Sequence, residues 1–205
     1  MTGLTMVAFV RAQPAQAADL ARYEDTVLGL LPAHGALLEH RLQSDDGRVE
    51  AHLLSFPSRE SIDAYDEDPR RAAARAAIDA SGVEGLRFLL MPEDGPQGIV
   101  LWRFQTDGWF SILLEHGQTL ADVDLLLVAD VLLDTDRFVA AALQLARVEL
   151  GSADPLTDPE ITFYPGNEWV LRFAEGAPDP EGIIVVFEGR EAVRLENLDA
   201  GEILE

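Results

Sequence analysis

The sequence contains no cysteine and no lysine. The first absence excludes disulfides, thiolate catalysis and Cys-based metal sites. The second leaves all fifteen basic side chains as arginine, against 37 acidic ones, for a formal net charge of −22. Such a surface repels the phosphates of DNA and RNA and the headgroups of anionic membranes, so no nucleic-acid partner and no membrane is expected. Long hydrophobic runs are also missing. None approaches the roughly 20 residues that a membrane-spanning helix needs. MTGLTMVAFV opens the chain without a basic residue ahead of its apolar run. The order of a secretory signal is therefore absent, and a cytoplasmic protein is expected. No metal-ligand spacing, phosphate-cradling loop or nucleophile motif occurs, so no metal and no cofactor is expected.

What is present is a chain of 205 residues, 48% hydrophobic and 25% charged, sufficient for one large or two small cores. Its acid is unevenly spread. Residues 1–95 carry 16 acidic and 9 basic side chains, net −7, whereas residues 96–205 carry 21 and 6, net −15. The excess serves solubility, or it forms an acidic face for a basic protein partner.

The front half alternates between two periods. LTMVAFV (4–10) reads as a strand. Leu20, Tyr23, Val27, Leu30 and Leu31 then recur at helical spacing until Pro32 and Gly35. ALLEHRLQ and RVEAHLLSF alternate around SDDG and read as a hairpin. Pro57 ends the second of these strands, because it cannot donate to a ladder, and Ser58 is placed to cap the helix that follows. Asp68-Pro69 starts that helix again, with a cap and a proline in the first turn. VEGLRFLLMP is the last strand. The order β-α-β-β-α-β is the ferredoxin-like pattern.

The residues also carry a resemblance. Tyr23, His34-Gly35, Glu50, Phe56-Pro57-Ser58, Ala64-Tyr65 and Asp68-Pro69-Arg70 are similar to the dimeric α+β barrel superfamily, and within it to the family called domain of unknown function 1330. The likeness covers about the first 94 residues. One departure is that Glu39-His40-Arg41 stands where the family often has an Arg-Gly-Gly-like segment. The resemblance implies a homodimer whose open sheet faces enclose a barrel with a small-molecule cavity. Some members are cofactor-free monooxygenases or isomerases.

With SDDG as a four-residue loop, Arg41 faces Glu50 and Glu39 faces His52 across the hairpin. Alternation puts these four on one face. Leu38, His40 and Leu42 lie on the other, with Val49, Ala51 and Leu53. The apolar set is expected against the helices and the polar set on the helix-free face. There His52 and Glu39 are candidate catalytic groups, as base and carboxylate, and Arg41, Glu50 and Tyr65 are candidate ligand contacts. The plainer reading is a set of cross-strand ion pairs at a subunit interface or on a wet face, with Tyr65 and Tyr23 as core residues.

MPEDGPQG (91–98) reads as a linker. The expected organisation is a ferredoxin-like domain over 1–94 and a second small α+β domain over 95–205. The second has two strands around Asp107-Gly108, then a helical stretch capped by Thr119 with Asp122, with a break at Asp134-Thr135-Asp136. SADPLTDPE reads as a loop. ITFYPGNEWVLRF and GIIVVFEGREAVRLEN read as four further strands, and the tail is acidic. Asp134 and Asp136 lack the glycine and closing glutamate of a calcium loop. Trp102, Trp109 and Trp169 read as core and sheet aromatics. Two functions remain open: a small-molecule-binding barrel, closed by homodimerisation or against the back domain, and a non-catalytic, immunity-like interaction protein.

Overall fold

The structure is a computed structural model. It describes residues 3–106, 109–151, 156–175 and 182–198. The Asp107-Gly108 turn, the start of the SADP loop and the acidic tail beyond 198 lie outside the described residues. The protein is α+β and divides into two compact units, Met1–Met91 and Pro92–Glu205.

In the first unit, strand β1 (Leu4–Ala12) leads through a 3-10 turn into helix α1 (Ala17–Leu28). A second 3-10 turn, Leu31–His34, ends at Gly35, whose φ of +67° suits a residue without a side chain. Strands β2 (Leu37–Gln43) and β3 (Val49–Phe56) follow, then helices α2 (Arg59–Asp66) and α3 (Pro69–Ala76), and β4 (Val83–Asp94). The strand order is β4-β1-β3-β2. Each of these pairings is antiparallel for β1 with β3, β1 with β4 and β2 with β3. This is the ferredoxin-like arrangement. Both expected caps form: Ser58 Oγ accepts from the Ser61 amide, and Asp68 accepts from the Arg70 amide at 2.9 Å.

Met6, Leu54 and Phe56 pack with Leu28, Leu31, Ile62 and Tyr65 in one buried cluster. These strand residues share a face, so that is the face the helices cover. Glu50 and His52 continue the same alternation from Leu54 and are carried inside, each at most 2% exposed. The expectation that the polar set occupies the helix-free face is therefore overturned. The physical reason is that Val7, Phe9, Ala51 and Leu53 make the other face apolar as well. Alternation alone could not say which face takes the helices.

The hairpin register also differs from expectation. Gln43 pairs with Glu50 and Arg41 with His52, two residues out from the anticipated pairing. The connection is longer than SDDG, because the Ser44 amide donates to the Val49 carbonyl and Asp46 ties back to Arg48. A bulge between Leu38 and His40 then displaces Glu39. His40 is exposed and lies opposite Leu53, away from the helices.

The second unit holds β5 (Val100–Phe104), β6 (Trp109–Leu114), α4 (Leu125–Leu133), α5 (Thr135–Leu150), β7 (Leu156–Phe163), β8 (Glu168–Glu175), β9 (Gly182–Glu188) and β10 (Glu191–Leu198). The helical stretch is divided more finely than expected. Thr119 and Asp122 form a capping box on a 3-10 turn, and Asp124 caps α4 separately. β7 runs parallel to β6, as a helical crossover allows. β7 begins at Leu156, inside the expected loop. It accommodates Asp158 at φ +51° and Pro159 through a register shift between Thr157 and Glu160. Trp169 is fully buried, but Trp109 is 60% exposed and is no core residue.

Candidate functional site

The first unit encloses a cavity of about 340 Å³ between its sheet and its helices. Its inner wall is made by Met6, Ala8, Glu24, Leu28, His52, Leu54 and Tyr65, all buried. Arg75, Glu84, Gly85 and Arg87 are exposed and line the opening.

Of the chain of charged groups that leads to the cavity, His52 and Glu24 line the wall, and Glu50 and Arg41 stand behind them. Arg41 holds Glu50 bidentately, with Nε donating to Oε2 at 2.8 Å and Nη2 to Oε1 at 3.1 Å. Gln43 Nε2 donates to the same Oε1 at 3.1 Å. His52 Nε2 lies 2.9 Å from Glu50 Oε2, and His52 Nδ1 lies 3.7 Å from Glu24 Oε2. Arg41 also reaches Asp25 of α1 at 2.5 Å.

The two glutamates are pushed in opposite directions. Burial raises the Glu24 carboxyl above its ordinary 4.5, and the nearby Glu50 charge adds to this, while His52 acts against it. Burial acts on Glu50 too, but hydrogen bonds from His52 and Arg41 outweigh it and hold that carboxyl below its ordinary value. The Arg41 guanidinium is raised, chiefly by its bond to Glu50. An ionised Glu50 is an acceptor only, so the His52 nitrogen facing it carries the proton. The other ring nitrogen, Nδ1, faces Glu24. A base oriented by one carboxylate and facing a second, less acidic carboxyl is an acid–base pair able to accept and return a proton.

Of the expected site residues, Arg41, Glu50 and His52 are brought together, but only His52 and Tyr65 border the cavity. Tyr65 is 3% exposed, and its hydroxyl donates to the Val27 carbonyl at 3.1 Å. Burial pushes that hydroxyl up to about 12, so it serves as a fixed wall rather than a titrating group. Glu39 is not brought to the site. At the bulge, its exposed carboxylate accepts from Ser55 Oγ at 2.7 Å, on the face opposite His52. Its expected place beside His52 is taken by Glu24, which the strand-based reading missed. The signal was in the helix: Leu20, Glu24 and Leu28 are spaced by four, which puts Glu24 on the inward stripe.

His34 and Asp68, two of the residues carrying the family resemblance, meet elsewhere. His34 Nε2 lies 2.9 Å from Asp68 Oδ2, and Arg70 holds the same carboxylate. These are capping contacts between the turn before β2 and the start of α3. Among the described residues, no group of three or more His, Asp or Glu side chains could hold a metal ion.

No family model matches the chain, and no curated protein matches its sequence. Several solved structures are similar in part. The Rv0793 protein of Mycobacterium tuberculosis aligns at 18% identity and a TM-score of 0.36, over 46% of this chain and 99% of its own. A candidate antibiotic biosynthesis monooxygenase from Nitrosomonas europaea aligns at 13% identity and a TM-score of 0.34, over 41% of this chain and 94% of its own. A candidate monooxygenase from Lactobacillus acidophilus aligns at 12% identity and a TM-score of 0.34, over 94% of this chain and 80% of its own. At this level of likeness no chemistry transfers to the present chain.

Proposed function

We propose that the first unit binds a small organic molecule in its sheet–helix cavity and moves a proton on it through His52 and Glu24. The observation that carries this reading is the buried His52–Glu24 pair on the wall of a cavity of ligand size, with His52 held from behind by Glu50 and Arg41. Opposed shifts on neighbouring titratable groups suit acid–base work. The likeness of the front half to the domain of unknown function 1330 family, and the homodimer it implies, belong to this reading.

Native mass spectrometry of freshly purified protein tests it, because subunit number and retained mass are read together. The expected result is a dimer carrying a ligand. Ala8 lies beside His52 on one side and Arg87 on the other, and borders the cavity. Ala8→Leu fills the floor beside His52 while leaving every member of the ion chain in the sequence, and is expected to strip the retained mass. Retention unchanged by Ala8→Leu would place the ligand elsewhere. A bare protein whose cavity amides also fail to shift with any small-molecule fragment in 1H–15N spectra would end the binding reading.

The second reading is a basic protein partner for the back half, carried by the net −15 of residues 96–205. Association with such a partner is expected to slow steeply between about 50 and 300 mM salt. Stopped-flow rates that ignore salt would remove it.

A further inference from the structure

Beside the cavity lies one buried donor without an acceptor. Arg71 Nε is buried and has no hydrogen-bond partner, although Arg71 borders the cavity. The rest of that guanidinium is fixed. Nη1 donates to the Tyr65 carbonyl at 3.3 Å and also meets the Asp66 carboxylate, and the group lies 4.1 Å over the Tyr65 ring. A buried donor left unpaired is costly, so a side chain held this firmly with one donor idle is organised for an acceptor that comes from outside the chain.

The charge balance around the opening points the same way. Arg71 and Arg87 share the single carboxylate of Asp66, and Glu84 is matched by Arg11 at 2.8 Å. Arg75 lies 5.7 Å from the Tyr23 ring centroid and has no carboxylate partner among the described residues. The lining of the cavity thus carries three guanidinium groups, Arg71, Arg75 and Arg87, against the carboxyls of Glu84 and Glu24, a positive excess in a chain of net −22. Deeper in, Met6, Leu28 and Leu54 offer only apolar surface until the His52–Glu24 pair.

Resting on the binding reading above, we infer that the cavity selects a small organic anion: a carboxylate or enolate group taken by Arg71 and Arg75, joined to a compact apolar body. The anionic group sits at the arginine end, and the body extends toward His52. This arrangement places a carbon or hydroxyl of the body, rather than its charged group, against the acid–base pair. Arginine suits the role because its planar fork meets two oxygens at once.

Benzoate and benzamide, alike in shape and different in charge, test the inference by 1H–15N titration of the full chain. Benzoate is expected to bind at least about tenfold tighter than benzamide. Arg71→Met is expected to bring benzoate down to the benzamide level while leaving benzamide within about twofold. If Arg71→Met fails to fold, the wild-type comparison still decides, together with Arg75→Gln at the exposed rim, which is expected to weaken benzoate alone. Equal binding of the two probes would overturn the anion inference and leave the cavity reading intact. Binding of neither would overturn both.

Discussion

Glu24→Gln and Glu50→Gln are expected to move the stability of the first unit in opposite directions at pH 8. The two glutamates sit on either side of one imidazole, and both are buried. Glu50 is ionised and receives Arg41, Gln43 and His52. Replacing it leaves a buried imidazole and a guanidinium facing a neutral amide, at a cost of about 2–3 kcal/mol. For a unit of this size that is a fall in midpoint of roughly 10 °C or more. Glu24 has no such set of donors, and its carboxyl resists ionisation because burial strips its water. Glutamine removes that cost, so Glu24→Gln is expected to stabilise.

The pH dependence separates the two cases. Glu50 titrates below its ordinary 4.5 in the fold. Its contribution is present above the unfolded value and is lost as pH falls through the folded one. The Glu50→Gln penalty therefore shrinks below about pH 4.5. Glu24 titrates above 4.5 in the fold. The wild type loses stability as pH rises from the unfolded value toward the folded one, and the Glu24→Gln advantage grows over that range. Native-state amide exchange of β1 and β3 at several pH values reads this directly. Tryptophan fluorescence does not, since all three tryptophans lie in the back half. If both variants were destabilised alike at pH 8, Glu24 would be an ionised partner of His52, and the acid–base assignment would fail.

Trp169→Ala is expected to cost the second unit about 4–5 kcal/mol. Trp169 is fully buried and stands between Phe163 and Phe187 in a row across β7, β8 and β9. It stacks on Phe187 with ring centroids 4.0 Å apart and meets the edge of Phe138 from α5 at 5.4 Å. Its indole N–H donates to the Gly189 carbonyl at 2.8 Å, which ties the row to the β9–β10 turn. Alanine removes the largest side chain of that core and leaves a cavity that Phe163, Phe187 and Phe138 cannot all collapse into. Urea denaturation followed through Trp102 and Trp109 measures the loss. A shift below about 1 kcal/mol would show that the aromatic row does not hold this sheet to its helix.

Much of the fold was legible because it follows from local rules. Period-2 and period-3.6 runs, Ser58 and Asp68 as caps, and Pro69 after a cap each act over a few residues. The ferredoxin-like order of the first unit is the sum of those local decisions. The candidate site was legible in part for the same reason: Arg41, Glu50 and His52 share a face through simple alternation.

What the chain could not declare was which face of a two-sided apolar sheet receives the helices. The choice depends on how Leu28, Leu31, Ile62 and Tyr65 close over Met6, Leu54 and Phe56, and those residues are distant in sequence. It carried Glu50 and His52, expected on the helix-free face, into a buried chain of charged groups. It also replaced Glu39, displaced by one bulged residue, with Glu24 from another element. The sequence alone determined the elements, their order and the polar residues available to a site. Only the tertiary structure decided burial, and burial sets the dielectric that drives the two glutamates apart.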